Sequence, residues 1–307
     1  MILDRPEQLL AALLVEAALG YPEWLLRRVG HPVTWAGRLI AAMDRRWNRE
    51  GYQSGGGIAA MLVLLLVGAG FGLAIECLTP GWAGTPVVIL IATTGLAQRS
   101  LWNHVAAVAD PLDRGQLDAG RTALSRTVGR DTAALDENGV AAAAIETLAE
   151  SFCDGIAAPA VWFLALGLPG LFAFKCISTA DSMIGHRDAC YELFGKASAM
   201  MDDVLNWVPA RIAAVLICLA GGGGWRILRR DGRNHLSPNA GWPESAMAGT
   251  LGVTLGGGAF YDGEWNARQT LGEGPRPGPA DLRRALRVFL RAVLLLWLSV
   301  GVLAWLR

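Results

Sequence analysis

Apolar residues in this chain fall in long, nearly uncharged blocks, not in the one-sided patterns of soluble domains. Gly57 to Leu78 carries no charge before Glu76, and Gly68, Gly70 and Gly72 permit close helix approach, so a membrane-spanning helix is predicted there. After the turn TPGWAGTP, Pro86 to Leu96 begins a second span that can run on towards His104, giving a helical hairpin. Ile156 to Lys175 is apolar but broken by GLPG at Gly167 to Gly170, which favours two half-helices or a re-entrant hairpin. Val204 to Gly221, with Pro209 and Arg211 in its first half, and Leu286 to Leu306 read as further spans. Leu9 to Leu19 is short and holds Glu16, and an Arg-rich, partly amphipathic stretch after it suits a membrane surface. Glu137 to Asp154 is Ala-rich and predicts a helix, and Ala246 to Phe260 is small, apolar and Gly-rich. The fold class is all-α: a polytopic integral membrane protein with four to five spans, including a broken or re-entrant helix around Gly167 to Gly170.

Composition supports that class. Of 307 residues 53% are hydrophobic and 18% charged, against about 25% charged in soluble domains. No Pro/Ser-rich or charged linker divides residues 1–307, which read as one membrane-embedded domain. Arg27, Arg28, Arg38, Arg45, Arg46 and Arg49 precede the first strong span and argue for a cytoplasmic start, in the cell inner (plasma) membrane. The start MILDRPEQLL lacks a basic n-region and an A-x-A site, so no cleaved signal peptide is expected. Net charge is zero, which gives no reason to expect a nucleic-acid partner. Five cysteines without a CxxC pair predict free thiols, with no disulfide framework and no zinc site. Interfacial anchoring in membrane lipid accounts for most of the 12 tryptophans.

The charges beside the apolar blocks carry the candidate chemistry. Glu146, Glu150 and Asp154 are spaced by four and stack along one helix face. They make either a solvated acidic face or a group whose repulsion is offset by Mg²⁺ or an arginine from elsewhere. Asp202 and Asp203, followed by Asn206, complement a helix start or bind a metal. Asp181 and Ser182 follow an apolar run, where a side-chain oxygen can cap a helix. Lys175, Arg130, Arg187, Lys196 and Arg211 are cations that either snorkel to the interface or hold phosphate. His31 and His186 are structural histidines or acid–base groups. The turn SPNAG before a small-residue helix exposes backbone N–H groups able to hold an anion. P-loop, GxGxxG, GxSxG and HExxH motifs do not occur.

Several blocks, in order, resemble one family. They are HPVTWAGRLI, VGRDTAALD, AIETLAESFCDGIAAPAVWF, FKCISTADSMIGHRDACYELFG, MDDVLNWVPARI and SPNAGWPESAMAGTLGVTLGG, with Tyr261 nearby. Together they resemble the CobD/CbiB family, the membrane-bound cobinamide (phosphate) synthases of adenosylcobalamin biosynthesis. The chain departs from the family pattern at Ser151 and Ser178, where asparagine is usual, and at His186-Arg187, where Tyr-Lys is usual.

The resemblance implies ATP-dependent amide formation between the propionate of adenosylcobyric acid and (R)-1-amino-2-propanol or its O-phosphate. The product would be adenosylcobinamide or its phosphate. It implies Mg²⁺ and ATP, and other corrinoid-pathway enzymes as partners. On that reading Glu146, Glu150, Asp154, Asp181, Asp202 and Asp203 handle the amine and metal, with Mg²⁺ at Glu150, Asp154, Asp202 and Asp203. Arg130, Lys175, Ser182, Arg187 and Arg211 hold phosphates, and Asn239 with its loop meets the corrinoid side chains or a phosphate. The competing expectations are a non-catalytic corrinoid transporter, a scaffold for pathway enzymes, and a regulatory AmpE-type relative. Retention of the DSM, MDD and SPNAG blocks favours the biosynthetic branch.

Overall fold

The structure, a computed structural model, describes residues 3–186, 188–261 and 263–306. Fourteen α-helices are described: α1 Arg5–Leu19, α2 Glu23–Arg28, α3 Pro32–Trp47, α4 Gln53–Leu78, α5 Gly81–Thr93, α6 Gln98–Leu112, α7 Leu117–Leu124, α8 Glu137–Phe152, α9 Ala158–Leu166, α10 Leu168–Ile184, α11 Lys196–Gly221, α12 Trp225–Asp231, α13 Gly241–Leu251 and α14 Pro279–Trp305. A π-helical turn, Cys153–Ala157, joins α8 to α9. Four three-residue strands, β1 Thr254–Gly256, β2 Ala259–Tyr261, β3 Glu264–Asn266 and β4 Thr270–Gly272, form two antiparallel ribbons, β1 with β4 and β2 with β3.

Among the described residues, four helical stretches are long and apolar enough to cross a membrane: Gln53–Leu78, Glu137–Leu166, Lys196–Gly221 and Pro279–Trp305. A fifth arises if Arg5–Leu19 and Glu23–Trp47, bent by 92°, count as one broken span. This is an all-α, multi-pass membrane protein with four to five spans. The hairpin expected around Pro86 takes a different form. α5 has 13 residues, about 20 Å at 1.5 Å per residue, and the chain breaks at Thr94 before α6.

Packing divides the chain into two compact units. The first comprises residues 1–97, 154–206 and 299–307. Its start is fixed by local caps. Asp4 and Glu7 form a capping box on α1, Gly20 ends that helix at φ 62°, and His31 accepts from the Val33 N–H at the start of α3. α10 packs along α4, and only glycine allows that approach. A Cβ on Gly68 would meet the Phe172 carbonyl, and one on Gly72 the backbone of Leu168 and Pro169. Phe71 and Phe172 meet edge to face at 4.9 Å.

The expected break at GLPG is present. Gly167 takes φ 71° and ends α9, and α10 restarts with Pro169 in its first turn. Glu76, the lone acid of α4, accepts from the Leu168 N–H at 2.8 Å and so caps α10. Arg5 donates to the Ala165 carbonyl at 2.7 Å and satisfies the end of α9.

The second unit comprises residues 98–153 and 207–298. The Ala-rich helix α8, capped by Asp136 accepting from the Gly139 N–H at 2.7 Å, is its buried centre, with α6 and α13 packed against it. Phe152 and Phe289 meet edge to face, and Trp297 donates to the buried Gln98 at 2.8 Å. Asp231 ties the ribbon to α12: it accepts from the Gly272 N–H at 2.8 Å and pairs with Arg230.

Candidate active-site groups

In the first unit, the polar group is assembled from the start of the π turn, α10 and the first turns of α11. Lys175, half-buried on α10, donates to the backbone carbonyl of Asp154 at 3.4 Å. Asp202, buried on α11, accepts from Asn206 Nδ2 at 3.0 Å through Oδ2. Its Oδ1 is buried with no hydrogen-bond partner among the described residues. Asp202 lies in the fields of Asp181, Asp203 and Lys175. Asp181 in turn feels Asp203 and His186, and Lys175 feels Asp154. Thus Lys175 interacts with Asp154 and Asp202, and Asp202 with Asp181 and Asp203, a network drawn from three separate segments. Ser182, next to Asp181 in the chain, donates back to the Ser178 carbonyl at 3.0 Å. Arg187 lies outside the described residues.

The second unit holds a different group. Arg130 meets Glu146 at 2.6 Å with both side chains nearly buried. The other oxygen of Glu146 accepts from the Gly256 N–H at 2.8 Å. An arginine, one of the two offsets considered for the three acids, thus pairs with Glu146. Glu150, exposed one turn further along α8, shares its field with Glu244 of α13. Glu244 is itself buried. Burial, then the negative fields of Glu146 and Glu150, push its carboxyl well above the ordinary glutamate range, opposed by Arg268 and Arg130.

His235 Nε2 sits 3.9 Å from Glu244 Oε1. The Ser237 N–H donates to His235 Nδ1 at 3.0 Å, so the proton of the neutral ring is on Nε2, facing Glu244. Burial and Arg268 push the imidazole below its usual value.

The SPNAG turn is built tightly. Ser237 Oγ accepts from the N–H groups of Asn239 and Ala240, both at 3.2 Å. Arg211 clamps it: Nη1 donates to Asn239 Oδ1 at 2.7 Å and to the Trp207 carbonyl at 2.8 Å, and Nη2 to the Pro238 carbonyl at 3.2 Å. The guanidinium is stacked between Trp207 and Trp242, at 4.6 and 4.5 Å.

Sequence reasoning missed Glu244, His235 and Arg268. Glu244 had a readable signal: it is the one acid in a helix of small apolar residues, GWPESAMAGTL. Among the described residues, no group of three or more His, Cys, Asp or Glu side chains is arranged to hold a metal ion.

The chain is similar over nearly its whole length to curated bacterial proteins. It is 44% identical over 302 residues, 96% of each chain, to the cobalamin biosynthesis protein CobD of Rhodobacter capsulatus. It is 46% identical to that of Brucella anthropi over 82% of each chain, and 41% identical to that of Rhizobium meliloti over 92% of each. No solved structure matches it. The family described as CobD/Cbib protein matches residues 9–289, and with that coverage the chain belongs to the CobD/CbiB family as a multi-pass protein of the bacterial inner membrane.

Proposed function

We propose that this chain acts in cobalamin biosynthesis, the process for which its relatives are named, and that it forms the amide bond between adenosylcobyric acid and (R)-1-amino-2-propanol or its O-phosphate. The observation that carries the chemical part is the gathering of Lys175 with Asp154, Asp181, Asp202 and Asp203. A carboxylate is a poor acyl donor until its oxygen becomes a leaving group. The propionate oxygen attacks the γ-phosphorus of ATP, the bond to ADP breaks, and an acyl phosphate forms. The amine nitrogen then attacks the carbonyl carbon, phosphate leaves, and a proton passes from nitrogen to an aspartate. Lys175 offsets charge on the transferring phosphoryl group. Asp181, Asp202 and Asp203 orient the amine and take its proton.

The group also fits Mg²⁺. The unpartnered Oδ1 of Asp202 and the surplus of carboxylates over cations favour a bound cation. Mg²⁺ prefers one or two carboxylates completed by water and phosphate oxygens, so a closed protein cage is not needed. Asp202 and Asp203 would hold it, with Asp154 the other candidate in the first unit. When bound it would neutralise nucleotide phosphate charge. Glu146 is assigned a supporting role through Arg130, and Asn239, held by Arg211, a contact to the corrinoid side chains. Ser182 and Arg187 remain phosphate contacts in this proposal.

Purified protein in detergent, given adenosylcobyric acid, Mg-ATP and either aminopropanol or its O-phosphate, is expected to yield the amide by mass spectrometry. The two donors compared side by side identify the substrate. Binding of the corrinoid without conversion would favour the transporter or scaffold and overturn the enzyme reading. Full activity in the Asp202→Ala/Asp203→Ala variant would instead overturn the assignment of this site.

A further inference from the structure

Four arginines crowd the first part of α14: Arg283, Arg284, Arg287 and Arg291. Their surroundings differ. Arg283 is neutralised by two carboxylates, Asp110 at 2.5 Å and Asp113 at 2.7 Å. Arg284 has one, Asp281 at 2.8 Å. Arg287 and Arg291 are exposed, and among the described residues no carboxylate lies within ion-pairing distance of either. Arg284, Arg287 and Arg291 line one cavity of about 240 Å³, with Thr250, Leu251 and Val288 as its less polar wall.

Snorkelling accounts for a single arginine near the end of a span. It does not account for three that converge on one concavity, where like charges repel. The charges around the cavity do not balance. Three guanidinium groups meet one carboxylate, Asp281. The cavity also meets the C-terminal ends of α11 at Gly221 and α13 at Leu251, each worth about half a negative charge. About one positive charge is left over. Size narrows the ligand further. The cavity is below the range of about 300–1,000 Å³ typical of sites that engulf a drug-sized molecule, so a corrinoid does not fit and a phosphate group does. Arg287 stands just before the apolar run of this span and Arg291 within it, at the depth where the chain leaves water for lipid.

We propose that Arg284, Arg287 and Arg291 form a binding site for a single phosphate-bearing anion, supplied as the phosphodiester of an anionic phospholipid or as free phosphate. Arg side chains suit this because the planar fork pairs with two phosphate oxygens at once. The site lies outside the groups assigned to chemistry above and does not depend on their assignment.

The test uses the full chain purified in detergent, with phosphatidylglycerol and inorganic phosphate as separate probes and phosphatidylcholine as the neutral control. Native mass spectrometry is expected to show retention of phosphatidylglycerol over phosphatidylcholine, or a thermal shift is expected with inorganic phosphate. The first result identifies a lipid source and the second a free one. Arg287→Gln/Arg291→Gln is expected to weaken the responding probe by at least about tenfold. Arg229→Gln, an exposed arginine on α12, is expected to leave it unchanged. Should the double variant fail to fold, phenylglyoxal footprinting of the wild type replaces it: the responding probe is expected to protect Arg287 and Arg291 but not Arg229. Neither probe binding, equal binding by wild type and double variant, or equal protection at all three arginines would overturn the proposal.

Discussion

Arg130 Nη2 lies 2.6 Å from Glu146 Oε2, and the two side chains keep only 12% and 6% of their surface exposed. The pair joins the loop before α8 to the middle of that helix, and Glu146 passes the constraint on to β1 through the Gly256 N–H. Removing one partner leaves a buried charge without its counter-charge. Arg130→Ala is expected to destabilise the protein by about 3–5 kcal/mol. Arg130→Ala/Glu146→Ala is expected to lose less than the sum of the single changes. Unfolding in detergent across the double-mutant cycle measures this. Additive losses would mean that the pair is not coupled.

Glu244 and His235 should give stability opposite pH slopes. The raised carboxyl of Glu244 binds its proton more tightly in the folded chain than in the unfolded one. Its contribution is therefore fully present below the unfolded value of about 4.3 and is lost as pH rises towards the folded value. The lowered imidazole of His235 works the other way: stability falls as pH drops below the unfolded value of about 6.5. Glu244→Gln is expected to remove the alkaline-side loss, so its unfolding midpoint should exceed that of the wild type at about pH 8. The two should converge near about pH 4. Parallel profiles for the two proteins would show that Glu244 is not the titrating group.

Arg211 is a positioning residue for the SPNAG turn, because three of its five N–H donors are committed to acceptors in and beside the turn and two tryptophan rings flank it. Lysine keeps the charge but cannot bridge Asn239 Oδ1, the Trp207 carbonyl and the Pro238 carbonyl while stacking on both rings. Arg211→Lys is expected to cost about 1.5–3 kcal/mol locally. The readout is hydrogen exchange at the amides of Asn239 and Ala240, which should speed up while exchange in α4 stays as it was. Unchanged exchange in the turn would remove the positioning role.

What could be read from sequence was mostly what local chemistry fixes. GLPG announces a break because proline removes a donor and Gly167 takes a positive φ. The long apolar runs announce α4, α11 and α14 because lipid demands length. Lys175, Asp181, Asp202 and Asp203 stood out as charges beside those runs, and they do converge in the first unit. Their common address was not readable, since segment spacing says nothing about which faces meet. Glu76 looked only like the end of a span, because its role as the cap on α10 depends on a partner 92 residues away. The ribbons β1–β4 and β2–β3 escaped notice because three residues are too few to show alternation. Glu244 stood out as a lone acid among small residues, but its environment is made by Glu146, Glu150 and Arg268 from other segments.

The glycines of α4 separate packing from helix propensity. Gly68 and Gly72 are one turn apart and buried against α10, whereas Gly70, between them, is exposed, and a Cβ added there would have no neighbour within 4 Å. Alanine is the better helix former by about 1 kcal/mol at any of the three. At Gly70 that gain is unopposed, so Gly70→Ala is expected to hold or slightly raise the unfolding temperature. At Gly68 the added carbon meets the Phe172 carbonyl, and at Gly72 the backbone of Leu168 and Pro169, none of which can swing aside as a side chain would. Overpacking of this kind costs about 1–3 kcal/mol, enough to outweigh propensity. Gly68→Ala and Gly72→Ala should therefore lower the unfolding temperature and loosen α10, which carries Lys175 and Asp181, so the proposed amide-forming activity should fall with it. Equal stability across all three alanine variants would mean that α4 and α10 do not approach as closely as these glycines allow.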